Sequence, residues 1–118
     1  MRRSGKTMAM VKALPASGSV VVVHTRPMRT YLQQMLRDVR GPAVAGLTRV
    51  VVVNSCAAAE AELAGARMPI RIDHAVREGG VHWDVFVHAE RLALASNLRF
   101  PDLPHDPFDC TPADGGDA

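Results

Sequence analysis

The stretch VVVVHT at residues 20–25 decides the fold class. Four consecutive valines are typical of a strand that is buried on both faces, because a strand with one exposed face would alternate apolar and polar side chains. A second stretch of the same kind, RVVVVN, lies at residues 49–54, and a shorter one, PIRID, ends on Asp73. Buried strands separated by longer segments favour a parallel sheet.

The segments between and around these strands have helical patterns. We expect helices over residues 6–14, 28–40, 56–64 and 83–97. In the second helix, spacings of three and four place Tyr31, Met35 and Val39 on one apolar face, and Leu32 and Leu36 give an alternative face. Strands alternating with helices predict an α/β fold in which a parallel sheet lies between two helical layers.

The composition is that of a globular protein with one ordered domain. The chain has 118 residues, of which 47% are hydrophobic, 22% charged and only 4% aromatic. No apolar run approaches the roughly 20 residues of a membrane-spanning helix, so we expect no membrane partner. No secretory signal is present, and Cys56 and Cys110 are far apart. These features predict a cytoplasmic protein with reduced cysteines.

Charge divides the chain into two parts. Residues 101–118 contain five Asp, four Pro and no Lys or Arg, which predicts a disordered acidic tail. Residues 1–100 form the predicted α/β domain and carry 14 basic against 7 acidic side chains. This basic excess could attract an anionic partner such as a nucleic acid. Scattered, solvated arginines are the alternative.

A candidate phosphate site heads the first predicted helix with the sequence Ser4, Gly5, Lys6, Thr7. In a phosphate loop, Gly lets backbone N–H groups approach phosphate oxygens, Lys reaches the β- and γ-phosphates, and the Thr hydroxyl binds Mg²⁺. The helix N-terminus adds a partial positive charge. We therefore expect these four residues to bind a nucleotide.

These residues resemble the Walker A loop of the P-loop NTPases, G-x-x-x-x-G-K-S/T. The sequence RRSGKT at residues 2–7 is similar to the loop of helicase and phage terminase ATPases. The resemblance implies an ATPase core with ATP and Mg²⁺ as ligands, and it covers residues 2–74. The first Gly of the motif would fall one residue before Met1, and the strand that feeds the loop in that family is missing.

The same resemblance implies a Walker B strand that ends on an acidic ligand of Mg²⁺. Asp73 matches that position, and with Thr7 it would hold the metal. In helicases and terminases a Glu general base follows the Asp, whereas here His74 follows and Glu78 lies nearby. His74 or Glu78 would therefore position the water if ATP is hydrolysed. A structural strand-end or turn Asp is the alternative for Asp73.

Residues 20–25 also resemble the second strand of helicase-like domains, after which a loop contacts nucleic acid. The resemblance implies that Thr25, Arg26 and Arg29 contact phosphates of a nucleic acid strand. A solvated start of the next helix is the alternative for these three residues.

The missing strand predicts a gap in the sheet, since that strand is central in P-loop folds. The favoured explanation is a protein that is longer at its N-terminus. The other two are direct pairing of the three remaining strands and a strand donated by another chain, which includes a homo-oligomer.

Two functions remain open. The first is a P-loop protein that binds ATP and is a partial ATPase core of the helicase or phage DNA-packaging kind. The second is a non-enzymatic α/β interaction or assembly protein that binds no nucleotide, in which Gly-Lys-Thr occurs by chance.

Overall fold

A computed structural model describes residues 4–109 of the chain. The elements within these residues are α1 (Ser4–Ala13), β1 (Ser19–Val23), α2 (Arg26–Leu47), β2 (Thr48–Val52), α3 (Cys56–Leu63), β3 (Ile70–Ile72), a π-helical turn (Val76–Gly80) and α4 (Trp83–Asn97). The π-helical turn is called the glycine turn below. The predicted strands and helices are confirmed, and their ends shift by at most two residues, with one exception. The helix predicted over residues 28–40 continues to Leu47 across a kink at Gly41, whose φ of 89° and ψ of 167° are not helical.

The three strands form one parallel sheet in the order β2-β1-β3. The central strand is β1, in which Val21 pairs with Val50 on one side and Arg71 on the other. All five residues of β1 are buried, as its run of valines predicts. The expectation of an α/β fold with a parallel sheet is therefore confirmed.

Helices cover both faces of the sheet. On one face, Val20 and Val22 of β1 pack with buried residues of α3 and α4. On the other face, Val21 and Val23 pack with buried residues of α1 and α2. The alternation of these four valines between two cores explains why β1 has no polar face. No helix within residues 4–109 is long and apolar enough to cross a membrane.

The core face of α2 combines Leu32 and Leu36 of the predicted alternative with Met35 of the other predicted face. Leu32, Met35 and Leu36 are buried, whereas Tyr31 is 47% exposed and Val39 is 37% exposed. Neighbouring residues of a helix lie about 100° apart around its axis, so a helix that turns Leu32 to the sheet turns Tyr31 away from it. The prediction that Tyr31 and Val39 belong to the buried face is therefore wrong.

The predicted gap between strands is absent from the described part of the chain, because β1 pairs directly with both neighbours. The outer edge of β3 is closed by other groups. The Ile70 N–H donates to Asn97 Oδ1 at 2.7 Å, and Asn97 Nδ2 donates to the Ile70 carbonyl at 3.0 Å. The Ile72 N–H donates to the Pro107 carbonyl at 3.0 Å. These bonds satisfy backbone groups that would otherwise be buried without partners.

The Pro107 contact belongs to a packed segment. Residues 101–109, the first half of the predicted disordered tail, lie against β3 and the glycine turn. Phe108 is only 9% exposed, and its ring contacts the ring of Phe86 at a centroid distance of 5.8 Å. The guanidinium of Arg77 lies 4.9 Å from the centroid of the Phe108 ring. One apolar anchor thus orders a stretch whose composition favours disorder. Residues 110–118 lie outside the described part.

Candidate functional site

The start of α1, the end of β3 and the glycine turn meet at the carboxyl end of the sheet, where open α/β folds bind their ligands. Thr7 lies in the first turn of α1, and Asp73 directly follows β3. The backbone N–H of Asp73 donates to the Val22 carbonyl at 3.0 Å, which continues the pairing of β3 with β1. The sheet therefore fixes the position of the Asp73 backbone beside the start of α1.

Thr7 and Asp73 are in direct contact. The Thr7 hydroxyl donates to Asp73 Oδ1 at 3.0 Å, and the two residues are only 5% and 1% exposed. The other carboxylate oxygen, Oδ2, accepts from the Ala75 N–H at 3.1 Å. Both oxygens of Asp73 thus have donors, and the carboxylate is held in one orientation. The Ala75 bond also fits the alternative in which Asp73 stabilises a turn.

Lys6, the residue before Thr7 in α1, forms an ion pair with Glu78 of the glycine turn. Lys6 Nζ lies 2.8 Å from Glu78 Oε2, and the two side chains are 62% and 55% exposed. An exposed ion pair of this kind contributes only about 0–1 kcal/mol to stability. The pair therefore matters less for folding than for holding the Lys6 ammonium group against the glycine turn, one residue before Thr7 in α1.

The glycine turn determines where Glu78 lies. Gly79 has a φ of 102°, in the left-handed region that glycine adopts without strain. A Cβ on Gly80 would lie 2.6 Å from the Ala75 carbonyl oxygen and 2.8 Å from His24 Nδ1. The two glycines thus allow the chain to turn back tightly after β3 and bring Glu78 over the start of α1.

The two candidate water-positioning residues lie in different surroundings. Glu78 contacts Lys6, whereas the His74 ring lies against the Phe108 ring at a centroid distance of 5.6 Å and is half-buried. The structure therefore brings Glu78, and not His74, into contact with a residue of the predicted phosphate loop.

The remaining predicted residues lie at helix starts. Ser4 and Gly5 are the first two residues of α1, and Arg2 and Arg3 lie outside the described part. The Thr25 hydroxyl accepts from the Met28 N–H at 3.2 Å and so caps α2. This bond fits the alternative in which Thr25 belongs to a helix start. Arg26 and Arg29 are exposed.

Sequence reasoning missed two residues that border the site. His24 follows β1 at the same end of the sheet, and its Nδ1 is buried without a hydrogen-bond partner among the described residues. Phe108 packs on His74 from a distant part of the chain. An aromatic residue within an Asp- and Pro-rich segment was the available signal for Phe108. For His24, the signal was its position directly after the buried valines.

The donor set at Thr7 and Asp73 suits a hard divalent cation. A hydroxyl and a carboxylate are oxygen ligands, which Mg²⁺ prefers, and Mg²⁺ usually takes only one or two protein carboxylates together with phosphates and water. Within residues 4–109, no group of three or more His, Cys, Asp and Glu side chains could hold a metal ion. A cation between Thr7 and Asp73 would therefore need ligands from a bound phosphate and from water.

Comparison of the chain with protein-family models, with curated proteins and with solved structures found no match. The geometry of the site is thus the basis on which its function is inferred.

Proposed function

We propose that this chain binds a nucleoside triphosphate, ATP in the first instance, together with Mg²⁺ at the N-terminus of α1. The hydrogen bond from Thr7 to Asp73 is the main support. These residues are 66 positions apart in the sequence and were assigned to two different motifs, yet their side-chain oxygens lie 3.0 Å apart in a buried setting. If the Gly-Lys-Thr sequence occurred by chance, there would be no reason to expect its Thr in contact with the Asp of the second motif.

Each residue of the site has a role that follows from its chemistry. Lys6 neutralises phosphate charge with a mobile ammonium group. The first backbone N–H groups of α1, including that of Gly5, have no partner within the helix and can donate to phosphate oxygens. Thr7 and Asp73 would hold Mg²⁺, which neutralises charge on the phosphates when it is bound. The Ala75 N–H keeps the Asp73 carboxylate oriented toward Thr7.

The finer form of this proposal is a partial ATPase core of the helicase or phage DNA-packaging kind. In hydrolysis, a water would attack the γ-phosphorus and the β–γ bridging oxygen would leave with ADP. Glu78 is the better candidate to accept the proton of that water, because it contacts Lys6. His74 packs against Phe108 instead.

Calorimetric titration with Mg-ATP tests the proposal in four proteins: the wild type, Lys6→Ala, Lys12→Ala and Thr7→Val. Lys12 is the matched control, since it is an exposed lysine in the last turn of the same helix. Removing a charged partner of a phosphate costs about 1.5–3 kcal/mol, so affinity should fall more than about tenfold in Lys6→Ala. The affinity of Thr7→Val for Mg-ATP should fall by a similar factor, and that of Lys12→Ala should stay within about twofold of the wild-type value.

Circular dichroism on each protein shows whether it is folded. A folded wild-type chain that binds no Mg-ATP would contradict the proposal. Equal affinities of Lys6→Ala and Lys12→Ala would contradict it as well, because binding would then take place elsewhere.

A further inference from the structure

The two outer edges of the sheet differ. The edge of β3 is closed by Asn97 and by the Pro107 carbonyl, whereas β2 is the last strand on its side in the described part of the chain. The Val53 N–H donates to the Val23 carbonyl at 2.8 Å, so residues 51 and 53 direct their backbone groups toward β1. Because these groups alternate along a strand, Val50 and Val52 direct theirs outward.

A groove of about 490 Å³ runs along this open edge. Its lining comes from α2, from β2 and the residues after it, and from α3: Arg26, Arg29, Arg49, Val50, Val51, Val52, Asn54 and Glu62. The groove therefore combines the outward backbone groups of β2 with charged residues of α2 and α3.

The groove is positively charged. Arg49 is paired with Glu62 at 2.9 Å, which leaves the charges of Arg26 and Arg29 in excess. Both are exposed, and no ion pair among the described residues involves them. An anionic group beside β2 would gain two charge-assisted contacts that no carboxylate within residues 4–109 supplies.

We propose that this groove binds an extended acidic segment of a partner protein, which adds to the sheet as a fourth strand beside β2. Its backbone would pair with Val50 and Val52, and its acidic side chains would reach Arg26 and Arg29. Main-chain bonds give affinity in this mode of recognition, and side chains give specificity. The inference does not depend on nucleotide binding.

Other occupants fit the groove less well. A second copy paired through its own β2 would bring two sets of arginines together, at a cost in like-charge repulsion. The acidic residues 110–118 of this chain follow Asp109, which lies on the side of β3, and they include Pro112, Gly115 and Gly116, which are poor strand formers. For a nucleic acid, Glu62 would repel phosphates, and the lining offers no aromatic ring for base stacking.

Fluorescence polarisation with defined peptides tests the inference. The probe is a labelled decapeptide of alternating Glu and Val. One control peptide has Lys in place of Glu, and another is N-methylated at the residues whose N–H groups would face β2. The protein variants are Arg26→Glu with Arg29→Glu and, as a control of equal charge change, Arg67→Glu with Arg91→Glu at exposed positions outside the groove.

The wild type should bind the acidic peptide and not the Lys peptide. Both N-methylation of the peptide and the Arg26/Arg29 double variant should weaken binding at least about tenfold, and the control double variant should change it much less. In amide hydrogen exchange, the peptide should slow Val50 and Val52 while Val51 and Val53 keep their rates.

Three results would overturn the inference. Equal binding of the N-methylated peptide would mean that charge alone attracts it. Binding of a thymidine oligonucleotide that depends on Arg26 and Arg29, without peptide binding, would make the groove a nucleic acid site. If neither probe binds, the arginines serve only to keep the edge from pairing with other chains.

Discussion

At the residue scale, Lys6 has two competing anionic partners. Glu78 is its partner in the present structure, and the triphosphate is its partner in the proposed complex. The exposed ion pair between Lys6 and Glu78 is weak, so a multiply charged phosphate can displace the carboxylate. The displaced carboxylate would remain near the γ-phosphate and repel it. Glu78 should therefore lower nucleotide affinity even if it assists hydrolysis.

Replacing Glu78 with Gln should tighten binding of Mg-ATP by about two- to fivefold, which corresponds to an exposed ion pair of up to about 1 kcal/mol. The melting temperature should not change, and any ATPase rate should fall because Gln cannot accept a proton. Titration calorimetry measures the affinity for Mg-ATP, and an assay of phosphate release measures the ATPase rate. Glu62→Gln is the control, since it breaks the similarly exposed pair with Arg49, away from the site.

If the wild type binds Mg-ATP and Glu78→Gln binds no more tightly, competition by Glu78 is excluded while the nucleotide site stands. If no protein of the series binds Mg-ATP, the proposed site itself is excluded.

At the scale of elements, Asn97 acts as a substitute for a neighbouring strand. It lies at the end of α4 and is 1% exposed. Its side chain accepts a hydrogen bond from the Ile70 N–H and donates one to the Ile70 carbonyl. Its Nδ2 also donates to the His105 carbonyl at 2.7 Å. One side chain therefore joins α4, β3 and the segment at residues 101–109, and closes the edge of β3.

Asn97→Asp should lower the free energy of unfolding by about 2–4 kcal/mol, because a buried carboxylate can accept from the Ile70 N–H but cannot donate to the carbonyls of Ile70 and His105. Asn54→Asp is the matched control at an exposed position and should change stability by less than about 0.5 kcal/mol. Urea denaturation followed by circular dichroism gives both values. Equal stability of the two variants would mean that Asn97 does not close the sheet.

The elements that the sequence predicted are those with a periodic or repeated signal. Consecutive valines predict β1 and β2, and the helical pattern over residues 56–64 predicts α3. Asn97 had no such signal, because its role depends on a strand 27 residues away in the sequence. Which stripe of α2 is buried also depends on where the sheet lies, and so Leu32 and not Tyr31 belongs to the core.

In the candidate site, too, positions with a local sequence pattern could be predicted, whereas contacts that depend on tertiary structure could not. The proximity of Thr7 and Asp73 could be predicted from the sequence, since a helix start and a strand end meet at the carboxyl edge of a parallel sheet. The ion pair between Lys6 and Glu78 depends on the tight glycine turn, and the contact of His74 with Phe108 depends on the packing of residues 101–109. Contacts of this kind arise from tertiary structure and leave no local pattern.

At the scale of the whole molecule, the sheet separates two proposed binding regions. The nucleotide site lies at its carboxyl end, where β3 meets α1, and the peptide groove lies along the opposite edge strand, β2. The central strand β1 pairs with both outer strands and is fully buried. Each region can therefore be changed by substitution without altering side chains of the other, and the two proposals can be tested separately.

The central claim is that Thr7 and Asp73 hold the metal of a bound nucleotide, and paramagnetic NMR tests it most directly. Mn²⁺ accepts the same oxygen ligands as Mg²⁺ and broadens the signals of nearby amides. On titration with Mn-ATP, we expect the strongest broadening at residues 6–8 and 73–75 and little at Val50 or Leu98. Broadening that is strongest elsewhere, or that is as strong at residues 73–75 in a Thr7→Val variant as in the wild type, would contradict the claim.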